Sequence, residues 1–255
     1  MEIEYNESKA LKHSNSYKLE YIGKCLLVKD EGKKILVIGD LHFGFEESLN
    51  RAGVFVSRKM FEEMIEELDK VFSKIGKVDE VVLLGDVKHE FGEIIRQEWN
   101  DVLDLFKYLE GKIKNNGKII IVKGNHDSVL EPIVNKDRKV ELRDYYCVGE
   151  VCFIHGHKDF DEIHNGNVKV WILGHVHPAV KISDGVKVEK YKCFLIGSFK
   201  GWEIVIVPSF LDYSEGSDPR ENYIDLPWKI DLGKFNVKIV GESLEVLDFG
   251  KLKDL

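Results

Sequence analysis

The sequence predicts an α/β fold, of the α+β kind, in which two stacked mixed sheets are flanked by helices. Three observations predict it. Apolar runs of strand length alternate with segments of helical period up to about residue 122. Beyond residue 138 short strands succeed one another with few helical segments between them. Several runs also stop at a glycine followed by a polar or charged residue, as strands do when they end at a site.

Taken in order, "CLLVKDEGKKILVIGD" reads as a hairpin, with strand 25–29, a turn at 30–32 and strand 34–39. In "SRKMFEEMIEELDKVFSKIG", Phe61, Met64, Ile65, Leu68, Val71, Phe72 and Ile75 recur at helical spacing. Ser57 is the expected N-cap and Gly76 lies just past the end. Strand 80–84, a helix near 93–110 and strand 118–122 complete a β-α-β-α-β series, which favours parallel pairing with right-handed crossovers. Short strands near 139–142, 145–148, 151–154, 170–173 and 180–182 follow. "VEKYKCFLIGSFKGWEIVIVP" and "NVKIVGESLEVLDF" read as antiparallel hairpins, with a surface loop at 212–228 between them.

The 255 residues suit one domain, 1–255, in which residues 209–255 supply a loop and strands that complete the core. With 44% hydrophobic and 32% charged residues the chain is globular in composition. No apolar run approaches the roughly 20 residues a membrane helix needs. The first twenty residues are too charged for a secretory signal, so a cytoplasmic protein is expected. Cys25, Cys147, Cys152 and Cys193 form no CxxC pair and sit in apolar stretches. They are expected to be buried free thiols rather than zinc ligands or a disulfide. Lysine far outnumbers arginine and Gln97 is the only glutamine, a bias found in heat-adapted proteins. The net charge of −8 argues against a protein that coats long nucleic acid, so an anionic substrate must meet local positive charge or a metal.

Five strands share one device. "ILVIG" is followed by Asp40, "VVLLG" by Asp86, "IIIVKG" by Asn125, "VCFI" by His155 and "VWILG" by His175. Each delivers a potential metal ligand to the carboxyl edge of a sheet, and glycine before four of them keeps Cβ bulk out of the site. In "GDLHFG" the alternation of an extended backbone points Asp40 and His42 the same way, and "GHVH" does so for His175 and His177. A carboxylate with imidazoles suits a divalent transition metal. In "GNHD", Asn125 binds a metal only through its amide oxygen, while His126 is placed for acid catalysis with Asp127 to orient its ring. "FIHGHKD" adds His155 and His157, and "GDVKHE" adds His89 beside Asp86. Singly each has a plainer explanation: a turn aspartate, a solvated loop acid, a surface histidine. His13 and His164 lack any such context and are read as surface residues.

The order GDxH…GD…GNHD…H…GHxH, over residues 39–178, resembles the calcineurin-like metallophosphoesterase superfamily. The resemblance implies a four-layer α-β-β-α sandwich and two divalent metal ions, Mn²⁺ foremost, with Fe²⁺, Zn²⁺ or Ni²⁺ also fitting. Asp40, His42, Asp86 and His177 would hold one ion, and Asp86, Asn125, His155 and His175 the other. A hydroxide bridging the two would attack phosphorus directly, and His126, oriented by Asp127, would protonate the leaving alkoxide. Arg51, Lys88, His89 and His157 are candidate substrate contacts. The expected function is phosphodiester hydrolysis on a nucleotide or nucleic acid. The alternatives are a nucleotide phosphomonoesterase or pyrophosphohydrolase, and a non-catalytic scaffold such as the retromer subunit of this fold. The hairpin before "GDLHFG", the "LNRAG" after it and the short length look most like the SbcD-related archaeal phosphoesterases and the bacterial phosphoesterases encoded with DNA ligase. The departure is "VKHE" after Asp86, where many members carry a polar or acidic residue three or four positions on. The segment after His177 is also too short for the DNA-capping domain of SbcD-type nucleases.

Overall fold

The computed structural model describes residues 16–164, 166–183 and 185–255. The first sheet contains β1 (Lys18–Ile22), β2 (Cys25–Asp30), β3 (Lys33–Ile38), β4 (Val78–Leu83), β5 (Ile113–Val122) and β6 (Val140–Arg143), side by side in that order. The first three pair antiparallel; β3 to β6 pair parallel, as the alternating segments between them predict. The second sheet holds β7 (Tyr145–Val148), β8 (Val151–Ile154), β9 (Val170–Leu173), β10 (Ala179–Ser183), β11 (Val188–Phe199), β12 (Trp202–Ile206), β13 (Asn236–Val240) and β14 (Val246–Lys251). Its order is β14-β13-β11-β12-β9-β8-β7, and β10 pairs with β11 off that path.

Both faces of each central strand are buried, so the strands read as continuous apolar runs. Val82, Leu84, Ile120 and Val122 of the first sheet meet Phe153, Val170, Ile172 and Val205 of the second in an inter-sheet core. Val81, Leu83, Ile119 and Ile121 face the other way, onto α2 (Met60–Ile75), α3 (Arg96–Glu110) and α4 (Glu131–Val134). In α2 the buried positions Met60, Met64, Leu68, Val71 and Phe72 form the stripe that the periodicity predicts. Among the described residues, the outer face of the second sheet is covered by short 3-10 turns and a loop, through Ile163, Trp228, Leu232 and Leu252, and by no layer of α-helices. The chain beyond residue 138 lacks the helical spacing that such a layer requires.

Register decides where the strands deliver their ends. Ile38 pairs with Leu83 and Leu83 with Ile121, while Ile154 pairs with Leu173 and Leu173 with Ile206. The residues after Ile38, Leu83, Val122, Ile154 and Leu173 therefore emerge level with one another.

Several expectations are corrected. Ser57 does not cap α2; the Glu46 carboxylate, from α1 (Phe45–Arg51), accepts both the Lys59 and Met60 N–H groups at 2.7 Å. A buried anion at a helix N-terminus satisfies those free donors better than a hydroxyl three residues away. Cys147 and Cys152 are joined as a disulfide, leaving only Cys25 and Cys193 as buried free thiols. The two lie directly opposite in the β7–β8 hairpin, a register invisible to a count of spacings. β1 and α1 were not anticipated, since neither short segment carries a strong apolar pattern. His13 lies outside the described residues. His164 is half-buried on a 3-10 turn with its Nε2 2.8 Å from Asp159 Oδ1.

Candidate metal centre

The loops that leave β3 and β4 run together. His42 N donates to the Asp86 carbonyl at 2.8 Å, Phe43 N to Val87 at 2.9 Å, and His89 N back to Phe43 at 2.8 Å. Five residues at the strand ends take left-handed backbone angles: Asp40 (φ 45°), His42 (49°), Asp86 (45°), His175 (66°) and His177 (47°). Asp and His tolerate this region better than most residues, yet each such angle costs on the order of 1–3 kcal/mol and persists only where the surroundings enforce it. The preceding glycines make room. A Cβ on Gly85 would stand 2.1 Å from His155 Nδ1, and one on Gly124 2.1 Å from Asp86 Oδ1.

Asp86 is the meeting point. Its Oδ1 accepts the His126 N–H at 3.0 Å, while Oδ2 faces His155 Nε2 at 3.4 Å, His42 Nε2 at 3.7 Å and His126 Nε2 at 3.8 Å. Asp40 Oδ1 lies 3.2 Å from His177 Nε2, and its carboxylate accepts the His175 N–H. Ligand atoms converge as two sets able to hold a metal ion, Asp40–His42–Asp86–His177 and Asp86–His155–His175. Asp86 belongs to both. A further set, His42–His89–His126, adjoins the first. Asn125 joins the second set, its Oδ1 3.2 Å from His155 Nε2.

The side-chain chemistry fits cations. His155 Nδ1 lies 2.9 Å from the Leu84 carbonyl, to which it donates, so in the neutral ring Nε2 is an acceptor. Three acceptors then face one another: that nitrogen, Asn125 Oδ1 and Asp86 Oδ2. A histidine whose other nitrogen donates to a carbonyl is the usual state of a metal-ligating imidazole. Burial opposes charge on Asp86 and Asp40, yet the surrounding imidazoles hold both carboxyls below the usual range. Burial alone would lower His155, but Asp86 and then Asp40 raise it to about 9. Burial dominates at His42, pushing it down to about 3, and lowers His175 as well. A buried cluster with this split supports either an imidazolium or a metal cation at its centre.

Support comes from buried side chains around the ligand loops. Asp127 is fully buried and accepts from Val87 N at 3.0 Å and Gly124 N at 2.9 Å; burial, then Asp86, raise its pKa to about 6. Its carboxylate thus ties the two ligand loops and does not orient the His126 ring, whose Nδ1 instead meets the His89 carbonyl. Glu98, buried on α3, accepts from His89 N, Glu90 N and Ile95 N at 2.7–2.9 Å, fastening the loop after Asp86. Its place three residues into the helix is a capping signal that sequence could have offered. The buried Ser209 donates its hydroxyl to the Asp40 carbonyl at 3.0 Å.

The candidate substrate contacts divide. Lys88 is fully buried and its ammonium donates to the Glu90 carbonyl, so it does not face the site. Arg51 is about half exposed and lies 3.6 Å from Glu47 and 3.9 Å from Glu93. His89 stacks on His126 with centroids 5.6 Å apart, and the Phe91 ring, 63% exposed, lies 3.7 Å from the His126 ring. His157 packs edge-on against His155, and burial lowers its pKa to about 4. A cavity of about 940 Å³ lies elsewhere, lined by residues such as Lys24, Glu67, Lys192 and Leu244, and contains none of the cluster.

A family model described as calcineurin-like phosphoesterase matches residues 33–166, more than half the chain. The chain belongs to the calcineurin-like phosphoesterases. The matched span holds Asp40, His42, Asp86, Asn125, His126, Asp127 and His155. This family is one of hydrolases that use divalent metals, in keeping with the two clusters that meet at Asp86. No curated protein matches this phosphoesterase in sequence. Among solved structures, the nuclease MPE of Pseudomonas putida is similar with a TM-score of 0.59 at 16% identity, over 91% of this chain and 100% of that one. Vacuolar protein sorting 29 of Cryptosporidium parvum is similar at 15% identity with a TM-score of 0.36, over 85% and 97%. Among the described residues, no helix is long and apolar enough to cross a membrane.

Proposed function

We propose that this phosphoesterase is a binuclear phosphodiesterase acting on nucleotides or nucleic acid. The observation that carries the reading is Asp86, one carboxylate common to two ligand sets, on a backbone held in a left-handed angle. Asp40, His42, Asp86 and His177 would hold one ion; Asp86, Asn125, His155 and His175 would hold the other. Mn²⁺ is placed foremost among the ions this mixed set of two carboxylates, one amide oxygen and four imidazoles would take, with Fe²⁺, Zn²⁺ and Ni²⁺ also fitting it. When bound, two such ions supply an activated water and neutralise charge on the ester in an in-line displacement.

The chain's own residues do the rest. His126 moves a proton to the leaving oxygen; its Nδ1 is fixed by the His89 carbonyl, which aims Nε2 into the cluster near Asp86. Asp127 and Glu98 hold the loops that carry Asp86, Asn125 and His126 in register. Phe91 offers exposed aromatic surface beside His126, which suits a nucleoside or aryl leaving group. The fold-level likeness to a nuclease supports the same class, and with it the resemblance to SbcD-related and ligase-associated phosphoesterases.

Protein stripped of metal and reloaded with Mn²⁺ is expected to hydrolyse bis(p-nitrophenyl) phosphate with a higher kcat/KM than p-nitrophenyl phosphate. The opposite order would make the enzyme a phosphomonoesterase. Absence of metal-stimulated turnover on either ester, and on nucleotides, would point to a scaffold.

A further inference from the structure

We infer that the cavity adjoining the metal cluster binds a second phosphate, carried by the same substrate beside the scissile ester, so that the enzyme favours substrates with at least two phosphates. This rests on the phosphodiesterase reading above. The cavity, of about 440 Å³, opens between the carboxyl ends of the two sheets. Lys123 and Asn125 come to it from the end of β5, and His157, Lys158 and Phe160 from beyond β8. Asn125 and His157 bring its inner end to the cluster itself, since the first lies 3.2 Å from His155 and the second packs on the same ring.

Its charge is what an anion requires. Lys158 is exposed and, among the described residues, forms no hydrogen bond or ion pair. The Lys123 ammonium lies 3.7 Å from Glu131 and 3.8 Å from Asp144, beyond hydrogen-bond distance of either. Each sheet thus contributes one cation at the same opening, Lys158 without an ion pair and Lys123 held loosely between two carboxylates, in a chain whose net charge is −8. Lysines bind phosphate as mobile point charges, so the pocket recognises charge and position without demanding one orientation. The exposed Ser128 adds a neutral hydroxyl, and the buried Nδ1 of His157 has no partner of its own. On the far wall Phe160 leans on Tyr145, centroids 5.4 Å apart, and presents apolar surface to the sugar or base beyond that phosphate. Asp144 in the lining limits the anion to one phosphate group and disfavours a longer polyphosphate.

The flanking phosphate has two chemical sources, the next link of a nucleic acid strand or the anhydride of a dinucleotide. The test measures kcat/KM of the Mn²⁺-loaded enzyme for a thymidine dinucleotide with and without a terminal phosphate at either end, and for a pyrophosphate-linked dinucleotide. At least about a tenfold advantage is expected for one doubly phosphorylated form, chiefly in KM, corresponding to one good ammonium–phosphate contact. Whichever arm shows it names the source. In Lys123→Ala/Lys158→Ala the ratio is expected to fall towards one, and in Lys123→Arg/Lys158→Arg to persist. A wild-type ratio of one, or an unchanged ratio in the alanine pair, overturns the proposal. Calorimetric binding of thymidine 3′,5′-bisphosphate keeps the test independent of turnover. Equal affinity for wild type and alanine pair overturns the pocket, whereas failure to hydrolyse any diester, with binding intact, overturns the phosphodiesterase reading alone.

Discussion

The edge of the first sheet brings Asp40, His42, Asp86 and Asn125 to the centre, including both carboxylates; the edge of the second brings only imidazoles, His155, His175 and His177. The first edge is braced by buried side chains, with Asp127 and Glu98 binding loop N–H groups and Ser209 binding the Asp40 carbonyl. The second takes its orientation from the first. His155 donates to the Leu84 carbonyl, and the His175 N–H donates to the Asp40 carboxylate. The dependence runs chiefly one way, with Ser209, which follows β12 of the second sheet, as the return tie to Asp40. Damage at the first edge is expected to reach every ligand, while damage at the second remains local.

The largest test of that asymmetry pairs Asp86→Asn with His175→Asn. Removing the shared carboxylate should lower metal-stimulated kcat by on the order of a thousandfold, the loss expected when one partner of a buried charged set is neutralised. It should also abolish uptake of both ions in elemental analysis. His175→Asn should cost less and leave one ion bound. Equal losses would end the comparison. Next, His126→Asn should retain both ions yet lose about a hundredfold in kcat on a nucleoside diester. The loss should shrink on a nitrophenyl diester, whose leaving group needs no proton. A smaller effect, about tenfold, is expected for Glu98→Gln, which leaves every ligand present but loosens the loop after Asp86. Steady-state kcat on the same diester measures it, with elemental analysis expected to show both ions retained.

The smallest lies in the helical layer behind the first edge. Burial, opposed by a hydrogen bond from Gln97 and reinforced by Glu46, raises Asp101 to about 6, and its Oδ2 has no partner. The folded protein holds that proton more tightly than the unfolded chain. The carboxyl therefore costs nothing below about pH 4 and its full penalty above about pH 6. Asp101→Asn should raise stability by about 1 kcal/mol at pH 7–8, since solvent screens a half-buried group, and by nothing at pH 4. Thermal melts at the two pH values measure it; an equal gain at both would assign the effect to packing.

Much of the centre was legible because each ligand stands where an apolar run stops. β7, β8 and β9 begin and end where the pattern places them, and His155 and His175 follow at once. What escaped depends on direction and register. Asp127 is next to His126 in the chain, yet its carboxylate points back to the Val87 and Gly124 amides. Lys88 carries the charge of a phosphate ligand, but the loop turns it inward. Glu98 and Glu46 also accept N–H groups from segments outside their own helices, contacts that only the fold brings together. The disulfide required knowing that Cys147 and Cys152 face one another across a hairpin.

The hollow at Gly85 is filled by the His155 ring, and the one at Gly124 by the Asp86 carboxylate. Each ligand and its glycine are therefore a lock and its key, cut on different strands. A descendant that drifted away from hydrolysis could not thicken either glycine while its partner remained, so the two positions would have to be abandoned in concert. Relatives that have retired the chemistry should carry that history as paired replacements, glycine and ligand lost from the same lineage.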